Sequence, residues 1–99
     1  MVIIAFATWP PESAKAISER FVKTPPAPDF IKMEGPYMYS DGEKGLHAAT
    51  LYKFDRSKAA EALKLVSDQH AVFWGVPGFF FDVKVCTNAQ YATELSGGV

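Results

Sequence analysis

Histidine is the side chain whose proton exchange lies closest to neutral pH, so the two histidines of this chain are its first places to look for chemistry. His70 lies on the apolar side of a helical pattern, with Ala59, Ala62, Leu63, Val66, Phe73 and Trp74, while Lys58, Glu61, Lys64 and Asp68 point elsewhere. Such a histidine faces the interior. It is either a half-buried ring hydrogen-bonded to a backbone carbonyl or a tyrosine, or a general base turned towards a ligand. His47 shares its side of a strand with Ala49, Leu51 and Lys53, the less apolar set, which suits either the same site or a paired surface. Trp9, Trp74, Tyr37, Tyr39 and Phe79 come from separate stretches that the predicted elements bring to one end of the domain, and Ala5, Ala7, Ala48 and Ala49 leave room beside them. An apolar pocket with a few polar groups is the usual small-molecule site. The candidate ligand-binding set is Trp9, Tyr39, His47, His70 and Trp74. In it His70 is the best candidate for a catalytic role, Tyr39 a hydrogen-bond donor, and the tryptophans walls.

Other chemistries lack their residues. The chain has no GxSxG, P-loop, HExxH, CxxC or GxGxxG pattern, and two histidines without a nearby thiol or carboxylate make a weak metal site. No metal and no cofactor is expected. Lys44 to Ala48 opens like an RNA-recognition strand, yet Leu46 and Ala48 stand where base-stacking aromatics are needed.

The elements that must position these residues follow from pattern. Val2 to Trp9 is a β-branched and aromatic run halted by Pro10-Pro11, and proline suits the first turn of a helix. Glu12 to Lys23 carries Ala14, Ile17, Phe21 and Val22 at helical spacing, with Lys15 facing Glu19 and Glu19 facing Lys23. Pro25, Pro26 and Pro28 end it. Phe30 to Ser40 is an edge strand bulged at Gly35-Pro36, Asp41 to Gly45 a hairpin turn, and Leu46 to Phe54 the strand that follows. Asp55 or Ser57 caps a second helix that Gly75 and Pro77-Gly78 terminate. In the last strand Phe79, Phe81, Val83 and Val85 alternate with Phe80, Asp82, Lys84 and Cys86.

This is the β-α-β-β-α-β order of an α+β, ferredoxin-like fold: a four-stranded antiparallel sheet with two helices on one face. The first strand is apolar on both sides, and helices cover only one. The uncovered face predicts a second copy of the chain as partner, or failing that a cover from the tail beginning at Thr87. The expected division is a domain over residues 1–86 and a tail over 87–99.

The 99 residues, 48% of them hydrophobic, can bury a core, and ten basic against eleven acidic side chains leave no footprint for nucleic acid or an anionic membrane. The single cysteine, Cys86, closes no intrachain disulfide, which fits a reducing cytoplasm. Met1 to Trp9 lacks a basic leader and meets Pro10-Pro11 too early for a signal peptide or a membrane span.

The element order, the short apolar strand entering Trp9-Pro10-Pro11-Glu12, and Asp68-Gln69-His70-Ala71-Val72-Phe73-Trp74 before Pro77-Gly78 and a Phe-rich strand together resemble the dimeric α+β barrel superfamily. The likeness spans Met1 to about Cys86 and is to small bacterial proteins of the antibiotic-biosynthesis-monooxygenase and stress-responsive kinds. It implies paired sheets, with a pocket between sheet and helices in each protomer. His70 and Trp74 are similar to the histidine and aromatic on the second helix of the haem-degrading branch, but Thr8 and Trp9 stand where those enzymes carry a first-strand asparagine. The cyclase and monooxygenase branches set buried His and Tyr around a polyketide or phenolic ligand, with His70, His47, Tyr39 and Tyr52 as counterparts. The expected function is thus a homodimeric protein binding a small hydrophobic or phenolic ligand, extending to cofactor-independent catalysis of the monooxygenase or cyclase type. The alternative is a non-catalytic interaction or regulatory module whose apolar sheet face serves assembly.

Overall fold

Alternation of side chains along Val2–Trp9 builds the first strand, β1, with Ile3, Ala5, Ala7 and Trp9 buried and their neighbours half-buried. The structure, a computed structural model, describes residues 1–42, 45–87 and 89. Pro11 starts a short 3-10 turn over Pro11–Ser13 that runs into α1, Ala14–Phe21. β2 is Lys32–Ser40, β3 is Leu46–Lys53, α2 is Ala59–Ala71, and β4 is Phe80–Cys86. The strands form one antiparallel sheet in the order β2-β3-β1-β4. The result is an α+β fold with a four-stranded antiparallel sheet and two helices.

The expected bulge is present: β2 lies at the edge of the sheet and its register against β3 shifts between Glu34 and Tyr37, around Gly35 and Pro36. Asp55 accepts a hydrogen bond from the Ser57 amide at 2.9 Å and so opens the turn that leads into α2. Of the two expected charge pairs on α1, Lys15 stands 4.0 Å from Glu19. Both helices lie over the same face of the sheet. Ala62 and Val66 of α2 pack with Ile3, Tyr52 and Phe54, and Ile17 of α1 packs with Ala7, Trp9, Ala48 and Phe73.

Two expectations about the helices need correction. The first helix stops at Phe21, leaving Phe21 and Val22 exposed rather than in the core. After Ala71 the chain tightens into three-residue hydrogen bonds, Phe73 to His70 and Trp74 to Ala71, and this change of pitch keeps Phe73 inside but swings Trp74 out, 69% exposed. Leu63 is exposed too, and the inner line of α2 runs instead through Ala62, Val66, Gln69 and His70.

Antiparallel partners share a face, so the register sorts the sheet. Thr50, Tyr52, Ala48, Val83 and Phe81 join the helix-covered side, opposite Ala5, Ile3 and Ala7. The far side carries Val2, Ile4, Phe6 and Thr8 beside Ala49, Leu51 and His47, with Phe80 at one edge and Tyr37 and Tyr39 at the other. No helix among the described residues is long and apolar enough to cross a membrane. Glu43 and Lys44 of the hairpin turn, and the tail from Thr87 apart from Thr87 and Ala89, lie outside the described residues, so the alternative cover by the tail does too.

Candidate functional site

Between the two packed clusters of the core lies a cavity of about 430 Å³. Its roof is the inner side of α1, Ala14, Ile17 and Phe21 with Ser18, and its floor is the sheet, where Ala5, Ala7 and Ala48 are too small to fill the space. Met33, Pro36 and Met38 of β2 close one side, and Gln69 and His70 of α2 with Phe73 just after it close the other. The space is partly open to solvent and its lining is mostly apolar, the form of a small-molecule pocket.

Trp9 and His70 both line it. His70 is only 7% exposed, and its ring stacks on Phe81 with centroids 4.8 Å apart. Its Nδ1 lies 2.7 Å from the carbonyl oxygen of Val66. A carbonyl only accepts, so Nδ1 carries the proton and the lone pair sits on Nε2. Burial pushes the ring below the ordinary histidine value of 6.5, against a smaller opposing pull from the Val66 carbonyl. Of the two roles expected for this residue, the hydrogen bond to a backbone carbonyl is the one present.

Trp9 is 5% exposed, and its indole N–H is buried with no partner among the described residues. Behind the cavity runs a polar chain. The Tyr52 hydroxyl donates to Gln69 Oε1 at 2.6 Å, and Gln69 Nε2 donates to the Pro25 carbonyl at 2.8 Å. Burial pushes the Tyr52 phenol up to about 12, so it stays protonated and its hydrogen is committed to Gln69. Gln69, Thr50 and Met33 went unnoticed in the sequence. A strict heptad stripe through Ala62, Val66, Gln69 and Phe73 would have found Gln69.

The other three expected members are elsewhere. His47 and Tyr39 stand on the far side of the sheet, their rings stacked 4.8 Å apart at 11°. There Thr8 Oγ1 lies 3.0 Å from His47 Nδ1, and Asp41 Oδ2 lies 2.8 Å from His47 Nε2, an ion-pair distance without hydrogen-bond alignment. The order Thr-His-Asp is that of a nucleophile, a base and an orienting acid, here on the sheet face away from the helices. Trp74 points outward, away from the cavity. The single site expected from Trp9, Tyr39, His47, His70 and Trp74 is therefore divided: a cavity with Trp9 and His70, a far-side cluster with Tyr39 and His47, and Trp74 in neither. No group of three or more His, Cys, Asp or Glu among the described residues could hold a metal ion.

Tight turns hold the cavity wall. At Gly45, φ is +98° and a Cβ would stand 2.6 Å from the Trp9 carbonyl oxygen; at Gly78, φ is +75° and a Cβ would stand 2.6 Å from Pro10 Cδ. Both loops thus close on the end of β1. Ser13 adds a hydrogen bond from its hydroxyl to the Pro77 carbonyl, and the Arg20 guanidinium donates to the carbonyls of Val72 and Trp74, lashing α1 to the turn after α2.

No family model matches the chain, and no curated protein does. Among solved structures, the de novo designed protein Foldit4 is similar at a TM-score of 0.46 and 11% identity, over 88% of this chain and 94% of that one. At that distance the description of the fold rests on this chain's own sheet.

Proposed function

We propose that this chain is a homodimeric, ferredoxin-like protein of the dimeric α+β barrel kind that binds a small hydrophobic or phenolic molecule between its sheet and helices. The observation that carries this reading is the 430 Å³ cavity with His70 on its wall. A pure assembly module would be served by a filled core between α2 and the sheet. In a cofactor-independent reaction of the monooxygenase or cyclase type, His70 would be the general base. Its neutral ring, oriented by Val66, presents a lone pair suited to accept a phenolic proton.

The test is direct. Native mass spectrometry and an absorption spectrum of freshly purified protein should show twice the chain mass and any retained ligand. Naphthol titrated into the protein should bind saturably, and Ala48→Leu, which fills the cavity floor, should abolish binding without unfolding the chain. Naphthol binding that is indifferent to Ala48→Leu would sink the assignment.

A further inference from the structure

Two buried polar groups on the cavity wall are left unmet by the fold. The Tyr52 hydroxyl spends its hydrogen on Gln69, and Gln69 spends its own on the Pro25 carbonyl and the Met33 sulfur. Of the other lining hydroxyls, Thr24 donates to the Phe21 carbonyl at 2.8 Å and Ser18 is exposed to water. Thr50 and His70 are different. Each is 7% exposed and lines the cavity, and neither Thr50 Oγ1 nor His70 Nε2 has a hydrogen-bond partner among the described residues. The unpartnered side-chain atoms that are also wholly enclosed are Trp9 Nε1 and His47 Nε2, so Thr50 Oγ1 and His70 Nε2 keep an open surface, and the cavity is what they open onto. They stand on opposite sides of its floor. Thr50 lies on β3 beside Ala5, and His70 stacks on Phe81, which lies on β4 beside Ala7. Since β3 and β4 flank β1, Thr50 and Phe81 are about 10 Å apart across those alanines.

We propose that the cavity selects ring compounds carrying hydroxyls at opposite ends, one donating to His70 Nε2 and the other exchanging a hydrogen bond with Thr50, and that Thr50 is the residue that sets this preference. The inference rests on the cavity being a ligand site. A hydroxyl taken out of water costs free energy unless the protein meets it. Thr50 both donates and accepts, so it meets a ring hydroxyl in either sense, whereas His70 Nε2 only accepts and takes the hydroxyl hydrogen. The unmet group on the protein and the second hydroxyl of the occupant thus offset each other's desolvation. A compound with both hydroxyls on one edge reaches only one side of the floor and buries its other hydroxyl unmet.

Isothermal titration of the full chain at neutral pH with three matched probes tests this: naphthol, a naphthalenediol with its hydroxyls at opposite ends of the ring pair, and the isomer with adjacent hydroxyls. The opposite-end diol should bind about tenfold more tightly than either of the others. Thr50→Val, which keeps the shape and removes the hydroxyl, and His70→Phe, which keeps a ring against Phe81, should each erase that advantage over naphthol. The ranking of the three probes on the unmodified chain stands as a test even where a variant fails to fold. Naphthol binding with no gain for the opposite-end diol, a gain shared equally by the adjacent diol, or a gain that survives Thr50→Val overturns the proposed selectivity while leaving the cavity as a ligand site. Failure of all three probes to bind overturns both.

Discussion

His70 links the site to pH, and the sign follows from its surroundings. Its folded-state value is held below the ordinary 6.5 chiefly by burial, so between the two values the unfolded chain binds the proton that the folded chain refuses. Stability is then intact above about pH 6.5 and is lost as the pH falls below it towards the folded-state value. Thermal melts between neutral pH and the onset of carboxylate protonation should therefore show a falling midpoint in the native chain and a flatter profile in His70→Gln; parallel profiles would count against a buried neutral ring. Tyr52 tests the polar chain behind the cavity. It is 1% exposed and donates to Gln69, so Tyr52→Phe strands Gln69 Oε1 and should cost about 1–3 kcal/mol in urea denaturation. The two histidines also show what single residues reveal. His70 was placed indoors by the apolar residues around it on its helix, whereas His47 differs from Ala48 by one position, and in a strand one position is a change of face.

At the scale of elements, strands were the most legible parts. The alternation in Val2–Trp9 and Gly35-Pro36 as an edge bulge appear where their patterns put them, whereas Phe80–Cys86 forms the expected strand but leaves Phe81 and Val85 of its apolar set exposed. Two things were hidden. The register of β2 shifts at its bulge, so which side Tyr37 and Tyr39 occupy depends on pairing with β3 that no local pattern contains. The change of pitch after Ala71 was equally silent, because Phe73 and Trp74 fit a continued helix as well as a tightened turn. The cavity itself was only half legible: the alanines on β1 and β3 signal room, but the residues that roof it belong to α1, whose distance from the sheet is a tertiary property. Gly45 carries the element-scale prediction. With φ at +98° and the Trp9 carbonyl 2.6 Å from where a Cβ would stand, Gly45→Ala should destabilise the fold by about 1–3 kcal/mol, measured by chemical denaturation, and weaken naphthol binding as the end of β1 shifts.

For the molecule as a whole, the asymmetry of the sheet is what supports the proposed pairing with a second copy. One face is covered by two helices; the other carries Ile4, Phe6, Ala49 and Leu51 at its centre, with Tyr37, Tyr39 and a 72% exposed Phe80 towards the edges. The charges flanking that centre include Lys53 with Glu34 at 2.8 Å, Lys84 with Asp82 at 3.0 Å, and Lys32 opposite Lys53. An apolar centre with polar flanks is a composition that suits a protein interface. A second copy related by a two-fold axis would match each stripe with itself, and the far-side cluster of Thr8, His47, Asp41 and Tyr39 would then be enclosed rather than wet. Replacing Ile4 by Glu places an unpaired charge at the centre of that surface and should convert a dimer to a monomer in sedimentation velocity at low micromolar concentration, whereas Glu61→Lys, on the exposed side of α2, should leave the mass unchanged. Removing the residues after Ala89 separates the remaining alternative. A truncated chain that stays dimeric assigns the face to its twin, and one that gains mass or precipitates, where the full chain is monomeric, assigns it to the tail.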